Sequence, residues 1–171
     1  MDLHMDIQQR KNWYTIFTRP RTEKKVASQV EELGAESFLP VHKVIKQWSD
    51  RKKRMEVPLF PNYVFVRTHE KALHSLFTIK HLVKFVSIER RPVVVREKEI
   101  DTIKLILNED TELSSCENFQ EGRKVRILRG HLAGLEGVIV KQNSKTRLII
   151  KIEGLERSLS INMPANYAEI I

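Results

Sequence analysis

The stretch Pro58-Leu59-Phe60-Pro61-Asn62-Tyr63-Val64-Phe65-Val66 decides how this chain is read. Aromatic and β-branched residues crowd it, and it is expected to belong to one long strand over residues 57–68. Successive side chains of a strand point to opposite faces. Tyr63 and Phe65 therefore share one face, Val64 and Val66 the other, and both faces are apolar. The strand expected over residues 12–18 repeats the pattern, with Trp13, Thr15 and Phe17 on one side and Tyr14 and Ile16 on the other. A sheet covered by helices on one side carries polar residues on its open side. Here the second face needs either a covering layer or a partner that docks on it. Ordinary burial in a core is the simpler reading of the pattern taken alone.

Working outward from these strands, Pro20 ends the first, and Thr22 is placed to cap a helix over residues 23–33. That helix sets Val26, Ala27, Val30 and Leu33 on one face and stops at Gly34. Residues 37–48 read as a strand pair or one strand bent at Pro40, and residues 50–54 as a charged hairpin tip. A short helix is expected over 70–77, short strands over 83–88 and 92–95, and a helix over 97–108 with Ile100, Ile103 and Leu107 on one face. This order, β-α-β-β-α-β, gives an α+β fold with helices packed on one antiparallel sheet.

The second half differs. Five of the six prolines precede residue 93, and five of the six glycines follow residue 121, so two architectures are implied. Residues 109–120 hold four acids and no base and read as an acidic flexible linker. Beyond it, strands expected over 124–128, 138–140, 148–152 and 158–161 suggest a small SH3-like β-barrel. The expected organisation is a tail over 1–11, an α+β domain over 12–108, the linker over 109–120 and the barrel over 121–171.

The 171 residues carry a net charge of +8, from 30 Lys+Arg against 22 Asp+Glu. A basic balance points to a polyanionic partner. Residues 1–108 hold 21 bases and 13 acids, a net charge of +8, while the linker's −4 and the last segment's +4 cancel. Arg19 and Arg21 follow the first strand, and Lys24 and Lys25 open the first helix, where positive charge opposes the helix dipole. Lys80 and Lys84 form a second group. Arg51, Lys52, Lys53 and Arg54 form a third, whose members repel one another unless something neutralises them. Such groups contact phosphates without reading sequence; a solvated surface is the reading for any single lysine.

No catalytic residues, metal ligands or cofactor are expected. The six histidines lack ligand spacing, no glycine-rich phosphate loop or nucleophile elbow is present, and Cys116 lies among acids that disfavour a thiolate. As the one cysteine, it cannot form an internal disulfide. No apolar run approaches the roughly 20 residues of a membrane helix, and the acidic first residues lack a signal core. A cytoplasmic protein with no membrane contact is expected. In the last segment, Gly130 and Gly134 mark a loop between strands and Gly137 opens the next strand. Leu132 and Leu135 lie in that loop, where apolar residues either plug a barrel end or meet a partner.

These residues resemble a known family. The run from Gly122 to Val138 is similar to the KOW motif of NusG-type transcription factors. Trp13-Tyr14 and Phe60-Pro61-Asn62-Tyr63-Val64 resemble the first strand and the Phe-Pro-x-Tyr strand of their N-terminal NGN domain. The resemblance covers about residues 12–171 and places both motifs in the right order across the linker. The form Pro-Leu-Phe-Pro-Asn-Tyr-Val-Phe-Val is similar to specialised paralogues of the RfaH and UpxY kind, which act as antiterminators on long operons such as surface polysaccharide clusters.

The resemblance implies a mechanism. In the family, an apolar cavity on the NGN domain grips the clamp helices of the RNA polymerase β′ subunit, and the matching positions are Phe17, Phe60, Pro61, Tyr63 and Phe65. A His-Thr-Thr motif reaches the β subunit opposite; here His74-Ser75-Leu76 keeps the histidine and one hydroxyl. A basic face meets non-template or upstream DNA, which Arg19, Arg21, Lys25, Lys80 and Lys84 match, with Arg51, Lys52, Lys53 and Arg54 near upstream DNA. The KOW domain recruits a ribosomal small-subunit protein or Rho through its loop, matched by Gly130, His131, Leu132, Gly134, Leu135 and Gly137, although the usual Pro-Phe of that loop is replaced. Some specialised members store this domain as a helical hairpin; the β-branched strands here favour the barrel. The implied function is a monomeric elongation and antitermination factor. The alternative is a ribosomal or RNA-binding KOW protein, against which stands the lack of aromatic residues interleaved with the bases.

Overall fold

Alternating aromatic and β-branched residues from Lys11 to Thr18 form β1, the strand on which the first unit is built. The computed structural model describes residues 10–47, 51–108, 113–116, 122–129, 132–142, 145–152, 157–162 and 168–171. It divides into two compact units, Met1–Ile100 and Asp101–Ile171.

In the first unit, β1 lies inside a four-stranded antiparallel sheet with β2 (Glu36–Phe38), β5 (Tyr63–His69) and β6 (Leu82–Phe85), in the order β2-β5-β1-β6. The helix α1 (Glu23–Glu32) covers one face. Val26, Ala27 and Val30 pack there with Tyr14, Ile16, Val64, Val66 and Phe85. Leu33 falls outside this core and is 50% exposed, because it follows the last helical residue. Gly34, at φ +78, closes the helix: its N–H reaches the Glu31 carbonyl at 2.9 Å and the Ala35 N–H the Val30 carbonyl at 3.2 Å. Thr22 does not cap the helix with its side chain; its hydroxyl donates back to the Arg19 carbonyl at 2.7 Å.

Several elements depart from expectation. The long strand over 57–68 is broken. β3 (Val41–Gln47) and β4 (Lys52–Pro58) form a separate two-stranded ribbon, and β5 begins only at Tyr63. Between them Asn62 takes φ +71 and the Tyr63 N–H bonds the Phe60 carbonyl at 3.2 Å, a turn with proline at its second position and a left-handed residue at its third. Lys52, Lys53 and Arg54 are not a loop tip but strand residues, paired with Gln47, Lys46 and Ile45. Exposed cations suit a ribbon with open edges and one open face; His42, Val44, Met55 and Val57 on the other face are half-buried. Trp48, Ser49 and Asp50 lie outside the described residues. The helix expected over 70–77 is two short 3₁₀ segments, Glu70–Leu73 and Ser75–Thr78, which send Leu73 and Leu76 into the core. β7 (Ser87–Ile88) and β8 (Arg91–Pro92) flank Glu89 and Arg90, both at positive φ, as a tight two-residue hairpin requires. In α2 (Glu97–Leu107) Ile106 is fully buried, while Leu107 is half-buried.

The second unit takes in the later turns of α2 and one six-stranded antiparallel sheet. Its strands are β9 (Leu113–Cys116), β10 (Arg123–Ile127), β11 (Glu136–Gln142), β12 (Lys145–Ile152), β13 (Arg157–Asn162) and β14 (Ala168–Ile170), in the order β14-β10-β11-β12-β13-β9. β9 lies inside the span expected as linker and pairs with β13 from Leu113↔Ile161 to Cys116↔Ser158. Ladder pairing uses backbone groups, so a polar segment can join a sheet edge. Val125, Ile127, Leu132 and Ile149 are buried in this unit.

Candidate docking face and basic cluster

The sheet face opposite α1 is aromatic. Antiparallel register sets Thr15 opposite Phe65, Phe17 opposite Tyr63 and Phe38 opposite Phe65. The rings touch in sequence: Trp13 with Phe38 at 6.3 Å, Phe38 with Phe65 at 5.8 Å, Phe65 with Phe60 at 6.2 Å, and Phe17 with Tyr63 at 5.3 Å. Phe38 was not expected here, because a three-residue strand after a helix shows too little alternation to assign its faces.

This face is closed at one end and open at the other. At the closed end Trp13 donates its indole N–H to Glu97 at 3.1 Å, and the Arg67 guanidinium lies 5.9 Å from the Trp13 ring centre. Arg67 also pairs with Glu97 at 3.5 Å and Glu36 at 3.7 Å. These pairs are partly exposed, so they orient more than they stabilise. Of the five residues expected to dock a partner, Phe60 and Phe65 are fully buried. They lie beneath the face as a buried floor and present no surface for a partner to touch. Phe17 and Tyr63 are half-buried and Pro61 is exposed, so these three make the open rim. Lys84, paired with Phe17 across the strands, holds its ammonium 5.9 Å from that ring.

Beside the rim the chain reverses three times. Arg21, Asn62 and His81 all have positive φ, at 62, 71 and 76°. The Thr18 N–H bonds the Asn62 carbonyl at 2.8 Å and the Arg19 N–H the His81 carbonyl at 3.0 Å, so β1 runs out between two loops. Glu23, the first residue of α1, is 6% exposed, and its Oε1 accepts the Asn62 N–H at 2.9 Å. Sequence reading passed over Glu23; the available signal was an acid opening a helix directly after two arginines.

The structure brings Arg19, Lys25 and Lys80 together around His81, whose pKa is lowered by desolvation first and then by Lys80, Arg19 and Lys25. All three cations are exposed, as is Arg21. Lys24 pairs with Glu56 at 3.4 Å. Lys52, Lys53 and Arg54 are exposed on a different element, β4 of the β3–β4 ribbon, and Arg51 is exposed just before it. His74 and Ser75 are exposed between and at the start of the 3₁₀ segments, the Ser75 hydroxyl donating to the Ala72 carbonyl at 2.7 Å and the His74 ring standing 6.3 Å from Phe77.

In the second unit Leu132 is buried and Leu135 half-buried. Gly134, at φ +88, donates its N–H to the Ile127 carbonyl at 2.8 Å, and Gly137 pairs with Val125. Gly130 and His131 lie outside the described residues. Among the described residues, no helix is long and apolar enough to cross a membrane.

Comparisons with known proteins agree with this architecture. A family profile described as "Transcription termination factor nusG" matches residues 11–104, and one described as "KOW motif" matches residues 121–152. The chain is 22% identical to the transcription termination/antitermination protein NusG of Haemophilus influenzae, covering 95% of this chain and 95% of the relative. It is 23% identical to the protein of that name in Escherichia coli, covering 94% and 96%. Among solved structures it is similar to "Domain interaction in Thermotoga maritima NusG", with a TM-score of 0.61 at 23% identity over 96% of this chain and 99% of that one. At that identity the likeness speaks for the fold.

Proposed function

The chain belongs to the NusG family of transcription termination/antitermination factors, with NGN and KOW domains, and from that premise we propose that it rides on elongating RNA polymerase and suppresses pausing and termination. The observation that carries this reading is the half-open aromatic face. Its rim of Phe17, Pro61 and Tyr63 offers an apolar surface to a helical partner, and the buried Phe60 and Phe65 support it from below. The occupant is the pair of clamp helices of the β′ subunit. His74 and Ser75 reach the β subunit opposite, so that the factor bridges the DNA channel and resists its opening.

Arg19, Arg21, Lys25, Lys80 and Lys84 contact non-template or upstream DNA through phosphates. The β3–β4 ribbon carries Arg51, Lys52, Lys53 and Arg54 toward the upstream duplex. We take the NGN domain as residues 12–108 and the KOW domain as 121–171, the latter recruiting a ribosomal small-subunit protein or Rho. The Pro-Leu-Phe-Pro-Asn-Tyr-Val-Phe-Val form supports a specialised role on particular long operons.

The test is retention of RNA polymerase by the full chain, comparing wild type with Tyr63→Ala and Phe17→Asp. Both rim residues are solvent-accessible, so these changes spare the core in a way Phe65→Asp would not. Loss of retention in both variants is expected; wild-type retention in both would remove the docking reading. Transcription of a template with a pause and a terminator then tests direction, and unchanged read-through would remove the antitermination claim.

A further inference from the structure

We infer that Glu23 is a positioning residue that sets the polymerase-facing turn and the DNA-facing bases in one fixed relation. The inference rests on the proposed function for what those two surfaces contact. Glu23 is a carboxylate buried to 6% exposure in the first turn of α1. Burial of a carboxylate is costly unless it is hydrogen-bonded. Its Oε1 accepts the Asn62 N–H at 2.9 Å. That N–H belongs to the third position of the Phe60–Tyr63 turn, which needs a left-handed residue and has a non-glycine there. Asparagine tolerates that conformation at a modest cost, and the bond to Glu23 helps to fix it.

The same bond reaches the bases. Lys25 lies two residues beyond Glu23 on the first turn of α1. Arg19 and Arg21 lie on the strap that leads into it, and that strap is fastened at Thr18 to the Asn62 carbonyl and at Arg19 to the His81 carbonyl. The carboxylate of Glu23 therefore fastens the helix bearing Lys25 to the loop bearing Pro61 and Tyr63. A factor that must meet a protein helix and a phosphate backbone at once needs these surfaces at a set spacing. When the competent geometry is only partly populated, each apparent affinity falls by that fraction.

A structural role and a positioning role make opposite predictions. If Glu23 acts only by favouring the α1 N-terminus, aspartate replaces it well, since short acids suit the first turn, and glutamine replaces it less well. If it acts as the clasp, Glu23→Gln keeps an oxygen at the same reach, whereas Glu23→Asp is one methylene too short. Retention of RNA polymerase and affinity for a fluorescent duplex containing a single-stranded bubble are measured on the full chain. Glu23→Asp is expected to weaken both about tenfold, and Glu23→Gln to stay near wild type. Tyr63→Ala is expected to weaken the first alone and Lys25→Ala the second alone.

Aspartate equal to wild type, or a loss confined to one affinity, overturns the inference. Amide exchange at Asn62 and Tyr63 reads the clasp without any partner. Faster exchange in Glu23→Asp but not in Glu23→Gln is expected, and equal protection in both overturns the clasp. A wild-type chain that binds neither probe overturns the functional reading instead.

Discussion

Tyr63 and Phe65 stand two residues apart on one strand face, yet they answer to different forces. Phe65 is fully buried against Phe38 and Phe60, so Phe65→Ala is expected to cost about 3–5 kcal/mol of stability. Tyr63, half-buried at the rim, is expected to cost less than half of that when cut to alanine, while losing polymerase retention. Urea denaturation of both variants checks the difference. His42 is also informative at this scale. Burial lowers its pKa, and desolvation followed by Lys80, Arg19 and Lys25 lowers that of His81. Each folded-state pKa lies below the unfolded value near 6.5. The unfolded chain therefore takes up these protons first on acidification, and stability falls as the pH drops below about 6.5. Thermal unfolding is expected at a lower temperature at pH 5.5 than at pH 7.5, with His42→Gln flattening part of the change. A midpoint that rises on acidification would refute this.

Among the elements, the β3–β4 ribbon departs most from its sequence reading. Four adjacent bases suggest a loop, but Lys52, Lys53 and Arg54 are paired strand residues opposite Gln47, Lys46 and Ile45. Lys52, Lys53 and Arg54 are all exposed on this ribbon, where a phosphate backbone can reach them. Replacing both Lys52 and Lys53 by glutamine is expected to reduce the slope of log affinity against log salt by about two for duplex DNA, and an unchanged slope would place the ribbon away from DNA. In the second unit, Gly134 sits at φ +88 with open space around its Cβ position. Gly134→Ala meets no clash there, only the left-handed backbone strain of about 1–2 kcal/mol. A larger loss in thermal or urea unfolding would reveal an unseen contact.

For the molecule as a whole, two kinds of information separate. Sequence alone determined the mixed helix-and-sheet class with antiparallel sheets and the family, because these rest on side-chain periodicity, turn residues and local motifs that each segment carries by itself, whereas the compact units divide at Ile100, inside α2, and not at the expected linker. It determined that the strands around Trp13 and Tyr63 are apolar on both faces, and that the positive charge resides in the first 108 residues. Only the tertiary structure decided which apolar residues are floor and which are rim. Phe60, Phe65, Phe17 and Tyr63 are alike in hydrophobicity, and exposure depends on which distant strand each one meets.

Tertiary structure also decided that Arg19, Lys25 and Lys80 gather around His81, that Glu23 reaches Asn62 across 39 positions, and that Leu113–Cys116 is an edge strand rather than linker. These are pairings between segments remote in sequence. Each depends on where a distant segment arrives, through a backbone ladder at Leu113–Cys116 and through side chains at Glu23 and the bases, so no local pattern announces them. The left-handed turn at Asn62 shows the boundary between the two. Pro61-Asn62 marks a turn in any chain, but the carboxylate that fastens it arrives from another element, and that arrival is a property of the fold.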